Sequence, residues 1–162
     1  YRPVFDIHLN MAIDYEISML INDKVMGVML PKLFVPIAEK SNQIVQLNLW
    51  EVEEACEAIK RCEEREADLN SIIVQISVKS FAKKNFVAQV KKILDKHGIS
   101  PDRFCFDINE SILEAVKDQV MENIMAFREI PLTISVLNIH LLLILLITTS
   151  IISGFTKACL TG

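Results

Sequence analysis

Apolar segments with the pattern of strands alternate with amphipathic segments along most of this chain. Four apolar segments predict strands, over residues 1–7, 12–20, 71–78 and 103–110. Amphipathic periodicity predicts helices over 31–44 (interrupted near Pro36), 45–62 and 114–129, and one more from Phe86 to a C-cap at Gly98. Because strands joined through helices pair in parallel with right-handed crossovers, this order predicts an α/β fold. Both a doubly wound sheet and a (β/α) barrel fit it.

The composition excludes several classes of protein. The net charge is −4, so nothing indicates a basic surface for a nucleic-acid polymer. A content of 51% apolar residues excludes a disordered chain. The four cysteines form no CxxC pair and the N-terminal residues lack the order of a secretory signal, which favours a cytoplasmic location.

The charged residues stop near residue 130. Only Lys157 is charged in the segment 130–162, and residues 137–155 are 19 residues without a formal charge. Such a segment predicts an apolar C-terminal helix, nearly as long as the ~20 residues that span a bilayer. The sequence therefore divides into 1–129 and an apolar tail, 130–162.

Polar side chains lie near the ends of the predicted strands that precede helices. They are Glu16, Gln75, Asp107 and Glu110. In a parallel barrel these ends converge on one face, where active sites form. Carboxylate and amide oxygens suit Mg²⁺ or Mn²⁺, and two such ions could activate water and neutralise a phosphodiester. Acids that cap helix N-termini are the alternative interpretation.

Five blocks of the sequence resemble, in order, the EAL domain family of cyclic di-GMP phosphodiesterases. They are YRPVFDI, YEISML, LPKLFVPIAEKSNQIVQLNLW, VQISVKSF and GISPDRFCFDINES. The family counterparts read roughly YQPIVDL, YEALLR, a P..FIPLAE segment ending in a Trp helix, VNLSARQF and LELEITES. The resemblance implies a TIM-like (β/α) barrel whose first strand runs against the others. It also implies hydrolysis of cyclic di-GMP to linear pGpG with Mg²⁺ or Mn²⁺, and a homodimer as in relatives.

The resemblance assigns roles to the four polar residues, as vestiges of the family site. Glu16 matches the signature glutamate, a metal ligand, and Glu110 matches the glutamate that supports a neighbouring loop; these two are the catalytic candidates. Gln75 stands where the family has a metal-binding Asn, and Asp107 where it has a Glu ligand. The metal candidates are therefore Glu16, Gln75 and Asp107.

Several of these positions depart from the family pattern. Gln75 is one methylene longer than Asn, and Asp107 is one methylene shorter than Glu, which misplaces oxygens in a tight octahedral shell. Leu20 replaces an arginine that would contact phosphate, and Arg2 stands where the family usually has Gln. These departures predict that neither the metal ion nor cyclic di-GMP is bound productively.

The segment after residue 130 departs furthest. The family continues with a strand, a DDFGTGYSS block whose aspartates complete the two-metal site, and later a lysine, whereas this chain reads PLTISVLNIHLLL. A shifted reading frame permits S-L-D-D-F-G-T-K-Y-S at this place, so we interpret 130–162 as an out-of-frame tail. The alternative is a true transmembrane helix over 137–155, which would bring membrane contact and a membrane-associated location.

Three functions follow from this comparison. The first is an active phosphodiesterase. The second, which the missing aspartates and lysine favour, is a catalytically inactive remnant with about the first four barrel strands and their helices. The third is a regulatory or membrane-associated interaction protein of cyclic di-GMP signalling.

Overall fold

A computed structural model of the chain describes residues 1–6, 11–108 and 113–136. Seven strands and five α-helices are present in these ranges, with a 3₁₀ turn at Pro101–Arg103. In chain order they are β1 (Arg2–Asp6), β2 (Met11–Ile17), β3 (Ile21–Asp23), β4 (Gly27–Met29), α1 (Pro31–Lys40), α2 (Ile44–Glu64), β5 (Ser71–Ile76), α3 (Val78–Phe81), α4 (Phe86–His97), β6 (Phe104–Ile108), α5 (Leu113–Arg128) and β7 (Thr133–Val136).

The central sheet has the strand order β1-β2-β5-β6-β7. Strand β1 pairs antiparallel with β2, whereas β2, β5, β6 and β7 pair in parallel. This topology confirms the predicted α/β class and the reversed first strand of a partial TIM-like barrel. The carboxyl ends of the parallel strands consequently lie along one edge, which positions the candidate site.

A cluster of phenylalanines packs beneath the helices. Phe81 stacks on Phe127 with ring centroids 5.5 Å apart, and Phe106 meets Phe127 edge to face at 5.6 Å. All three side chains are fully buried. On α2, the predicted apolar stripe that includes Val52 and Ile59 is buried against the sheet, as its periodicity indicates.

Helix α1 corrects one prediction. It runs without a break from Pro31 to Lys40, so the interruption expected near Pro36 is wrong. The proline removes one backbone hydrogen bond, but burial of Phe34 and Ala38 on either side of it stabilises the helix.

Strand β7 and the hairpin of β3 and β4 were not predicted. Strand β7 lies within the segment that the sequence assigned to the tail, yet Cys105 pairs with Thr133 and Leu132 is buried. The sheet therefore extends past residue 130, because the β-branched run TISV suits a strand beside β6. The predicted apolar helix over 137–155 lies outside the described residues. Within the ranges the structure describes, no helix has the length and apolarity to cross a membrane.

Gly98 ends α4 in the left-handed conformation, with φ at +66°, as its predicted role of C-cap requires. We expect Gly98→Ala to lower the free energy of unfolding by about 1 kcal/mol, measured by urea denaturation. An added Cβ would contact nothing within 4 Å, so the cost comes from the backbone alone. Gly98→Asn is the matched control, since Asn tolerates this conformation better. An equal loss in both variants would contradict the prediction.

Candidate functional site

Three of the four candidate residues meet at the carboxyl edge of the sheet. Gln75 pairs with Asp107 across β5 and β6, and Glu16 lies on the neighbouring strand β2. The Gln75 amide nitrogen donates a hydrogen bond of 2.9 Å to Oε1 of Glu16. Their roles as metal ligands stay predictions. The fourth candidate, Glu110, lies outside the described residues.

The second carboxylate oxygen of Glu16 also has a protein partner. Arg2 pairs directly with Glu16 across β1 and β2. Its guanidinium donates a hydrogen bond of 2.5 Å to Oε2 of Glu16. The Glu16 side chain is 15% exposed, so this ion pair lies at the border between the site and solvent. Both oxygens of the carboxylate thus accept from N–H donors of the protein.

Asp107 lies in a less favourable environment for a charge. Burial raises the pKa of its carboxyl, the negative charge of Glu16 raises it further, and a hydrogen bond from Ser135 lowers it. Its Oδ1 atom is buried without a hydrogen-bond partner in the described part of the chain. An orphaned buried oxygen of this kind can accept a proton or face a cation.

A cavity of about 300 Å³ opens beside these residues. Its polar lining comprises Ser18, Glu39, Asn48, Glu51, Gln75, Ser77 and Asp107. Apolar side chains from the first helices and from the strand ends also line it, among them Ile17, Val35 and Ile44. Of the candidate residues, Gln75 and Asp107 therefore border a pocket large enough for a small ligand or several water molecules.

Glu51 is one of the residues of this pocket that sequence reasoning missed. The charged residues of an amphipathic helix such as α2 are expected to face water, but Glu51 is only 2% exposed. Burial raises the pKa of its carboxyl to about 7. Hydrogen bonds from Asn48 and from the backbone of Met19 lower this pKa, but by less than burial raises it. A signal was present, because Glu51 lies three residues after Asn48 and four before Ala55, both buried on the same stripe.

Asn48 fixes the chain where β5 ends. Its amide nitrogen donates to the carbonyl oxygen of Gln75 at 3.1 Å. Its Oδ1 accepts from the backbone N–H of Ser77 at 3.1 Å and from the Ser80 hydroxyl at 2.8 Å. Since these bonds hold the backbone at Gln75 and just after it, they help to position the Gln75 side chain next to Glu16.

The arrangement does not fit a divalent ion. Mg²⁺ and Mn²⁺ need several oxygen ligands in a near-octahedral shell. Here both Glu16 oxygens are bonded to nitrogen donors, and Gln75 turns its nitrogen rather than its oxygen toward Glu16. Asp107 Oδ1 is buried without a hydrogen-bond partner among the described atoms. In the same ranges, no group of three His, Cys, Asp or Glu is placed to hold a metal ion.

Comparisons with a family model, with curated proteins and with solved structures all point to the same family. A model of the EAL domain matches residues 1–139. The bifunctional diguanylate cyclase/cyclic di-GMP phosphodiesterase MucR of Pseudomonas aeruginosa is 34% identical over 86 residues, which are 52% of this chain and 12% of MucR. The oxygen sensor protein DosP of Escherichia coli is 23% identical over 115 residues, 71% of this chain and 14% of DosP.

Among solved structures, the MucR phosphodiesterase in complex with c-di-GMP superposes with a TM-score of 0.76 at 26% identity. The match covers 84% of this chain and 55% of that structure. The chain thus spans about half of the solved phosphodiesterase and a small share of the curated relatives it matches.

Proposed function

The chain belongs to the EAL domain family, and from this premise we propose that it is a catalytically inactive relative of the cyclic di-GMP phosphodiesterases. The observation that carries the proposal is the pairing of both Glu16 oxygens with donors of the protein itself. A metal-dependent hydrolase needs this carboxylate free for a metal ion. MucR, which the chain resembles, is named for phosphodiesterase activity and its structure holds c-di-GMP.

The neighbouring ligand positions support the same proposal. The resemblance expects Asn at Gln75 and Glu at Asp107, so one side chain is too long and the other too short for the family geometry. Gln75 uses its extra length to bond Glu16, and Asp107 accepts a bond from Ser135 on β7. Each departure is compatible with a site that is stabilised by internal hydrogen bonds.

Phosphate recognition is also weakened. Leu20 replaces the arginine that the resemblance expects to contact ligand phosphate, and its side chain is 59% exposed. An aliphatic side chain forms no charge-assisted hydrogen bond to a phosphate oxygen. We therefore propose that cyclic di-GMP, the ligand of the family, binds this chain more weakly than it binds relatives with the arginine.

The acids that would complete a two-metal site are missing from the matched region. The family model extends to residue 139, yet residues 131–139, PLTISVLNI, contain no acid. The resemblance expects the two aspartates of the DDFG block at this place. Ser135 is the residue of β7 that faces Asp107, and a neutral hydroxyl supplies no negative charge to a second metal ion.

Steady-state hydrolysis tests the proposal. We expect the purified chain to form linear pGpG from cyclic di-GMP no faster than buffer does, with either Mn²⁺ or Mg²⁺, as measured by chromatography. MucR serves as the positive control, and Glu16→Gln as the matched variant of this chain. A rate above buffer that disappears in Glu16→Gln would refute inactivity.

A further inference from the structure

We propose that the guanidinium of Arg2 is the permanent counter-ion of Glu16 and takes the place of a divalent cation at this site. The inference deepens the proposed function and rests on it for the expectation that relatives place a metal ion here. It predicts whether a metal ion occupies the site, and binding of a metal ion is measured independently of hydrolysis.

The sheet register holds Arg2 at this place. Strand β1 runs antiparallel to β2, and Arg2 lies directly opposite Glu16. Directly opposed residues in an antiparallel pair have neighbouring Cβ atoms, so their side chains share one face of the sheet. The irregularity in this ladder lies between Val4 and Phe5, away from the pair. Backbone pairing, rather than a mobile loop, thus brings the guanidinium to the carboxylate.

The two donors of Glu16 divide its oxygens between them. Arg2 binds Oε2 at 2.5 Å, and the Gln75 amide binds Oε1 at 2.9 Å. A divalent ion at Glu16 would compete with both donors for its oxygens and would face a guanidinium that stays charged at every accessible pH. Charge repulsion and the loss of two hydrogen bonds therefore both oppose metal binding.

The other side chains of the trio do not compensate. Asp107 Oδ1 is buried without a hydrogen-bond partner among the described atoms, but Asp107 is then the one remaining carboxylate of the trio, since the Gln75 amide oxygen is neutral. A hexacoordinate ion bound through a single carboxylate oxygen would keep nearly all its water and bind only weakly. The ion pair with Arg2 thus limits the ability of Glu16 to bind a metal ion, and without Glu16 the site holds an ion only weakly.

Titration with Mn²⁺, followed by the electron paramagnetic resonance signal of the free aqua ion, tests this inference. We expect the native chain to leave the signal unchanged. Arg2→Gln introduces the residue that is usual in the family and frees one Glu16 oxygen. We expect it to bind Mn²⁺ at least about tenfold more tightly than the native chain, a change of about 1.4 kcal/mol.

Two variants control for charge and for folding. Arg2→Lys keeps the positive charge and is expected to leave Mn²⁺ as free as the native chain does. Arg65→Gln removes the same charge from an exposed position at the end of α2 and is expected to change nothing. Circular dichroism checks that each variant is folded, and Mn²⁺ binding by Arg2→Lys would contradict the inference even where Arg2→Gln does not fold.

Two results would overturn the inference. One is Mn²⁺ binding by the native chain that disappears in Glu16→Gln. The other is a folded Arg2→Gln variant with no gain in affinity. Binding of Mn²⁺ without formation of pGpG would overturn this inference and leave the proposed lack of catalysis intact, so the two failures are distinguishable.

Discussion

Replacing Phe106 with alanine is expected to lower the free energy of unfolding by about 3–5 kcal/mol. Phe106 is fully buried on β6, the strand that carries Asp107. Its ring contacts Phe104 at 6.2 Å and Phe127 at 5.6 Å between centroids, so truncation leaves a cavity between the sheet and α5. Urea denaturation followed by circular dichroism measures the change.

Phe5→Ala is the matched control for this substitution. Phe5 also lies on a strand of the sheet, but its side chain is 64% exposed. We expect a change within about 0.5 kcal/mol, since exposed side chains contribute little. If Phe106→Ala cost no more than Phe5→Ala, the phenylalanine cluster could not be the core that positions β6.

Glu51→Gln is expected to stabilise the protein above neutral pH and to have little effect in acid. Burial raises the pKa of Glu51 to about 7 in the folded state, whereas a glutamate carboxyl in the unfolded chain has a pKa of 4.5. The folded chain therefore binds more protons than the unfolded chain between these values, and its stability falls as the pH rises through this window. At about 1.4 kcal/mol for each pKa unit, the loss approaches about 3 kcal/mol above pH 7.

The test compares native and Glu51→Gln chains by urea denaturation at pH values below 4.5 and above 7. The amide keeps an oxygen for the hydrogen bonds from Asn48 and Met19, so only the titration is removed. Glu64→Gln, at the exposed end of the same helix, is the control and should show no such gap. A stability difference that is the same at both pH values would contradict the buried titration of Glu51.

Local patterns predicted the parts of the fold that depend on local physics. The β-branched run at 71–78 and the apolar run at 103–110 predicted the two central strands, observed at Ser71–Ile76 and Phe104–Ile108, and the rule that parallel strand ends converge brought Glu16, Gln75 and Asp107 together. These predictions hold because the side-chain period is a property of the local chain, and because strands joined through helices pair in parallel. The resemblance added the reversed first strand, which no local pattern specifies.

What sequence reasoning missed depends on contacts between distant segments. The ion pair of Arg2 and Glu16 joins residues 14 positions apart, and its register follows from the pairing of β1 with β2. Glu51 was assigned to the solvent face of α2, whereas packing of the helix on the sheet buries it. Strand β7 was not recognised because it lies in an apolar segment, which lacks the alternation of apolar and polar residues that is typical of a half-buried strand.

A single-turnover experiment tests most directly the proposal that Glu16, Gln75 and Asp107 form no working hydrolytic centre. The chain is mixed in molar excess with labelled cyclic di-GMP and saturating Mn²⁺, so that a single hydrolysis event per chain is detected. We expect all of the label to stay in the cyclic dinucleotide. Linear pGpG that increases with the amount of chain, and that Glu16→Gln fails to produce, would contradict it.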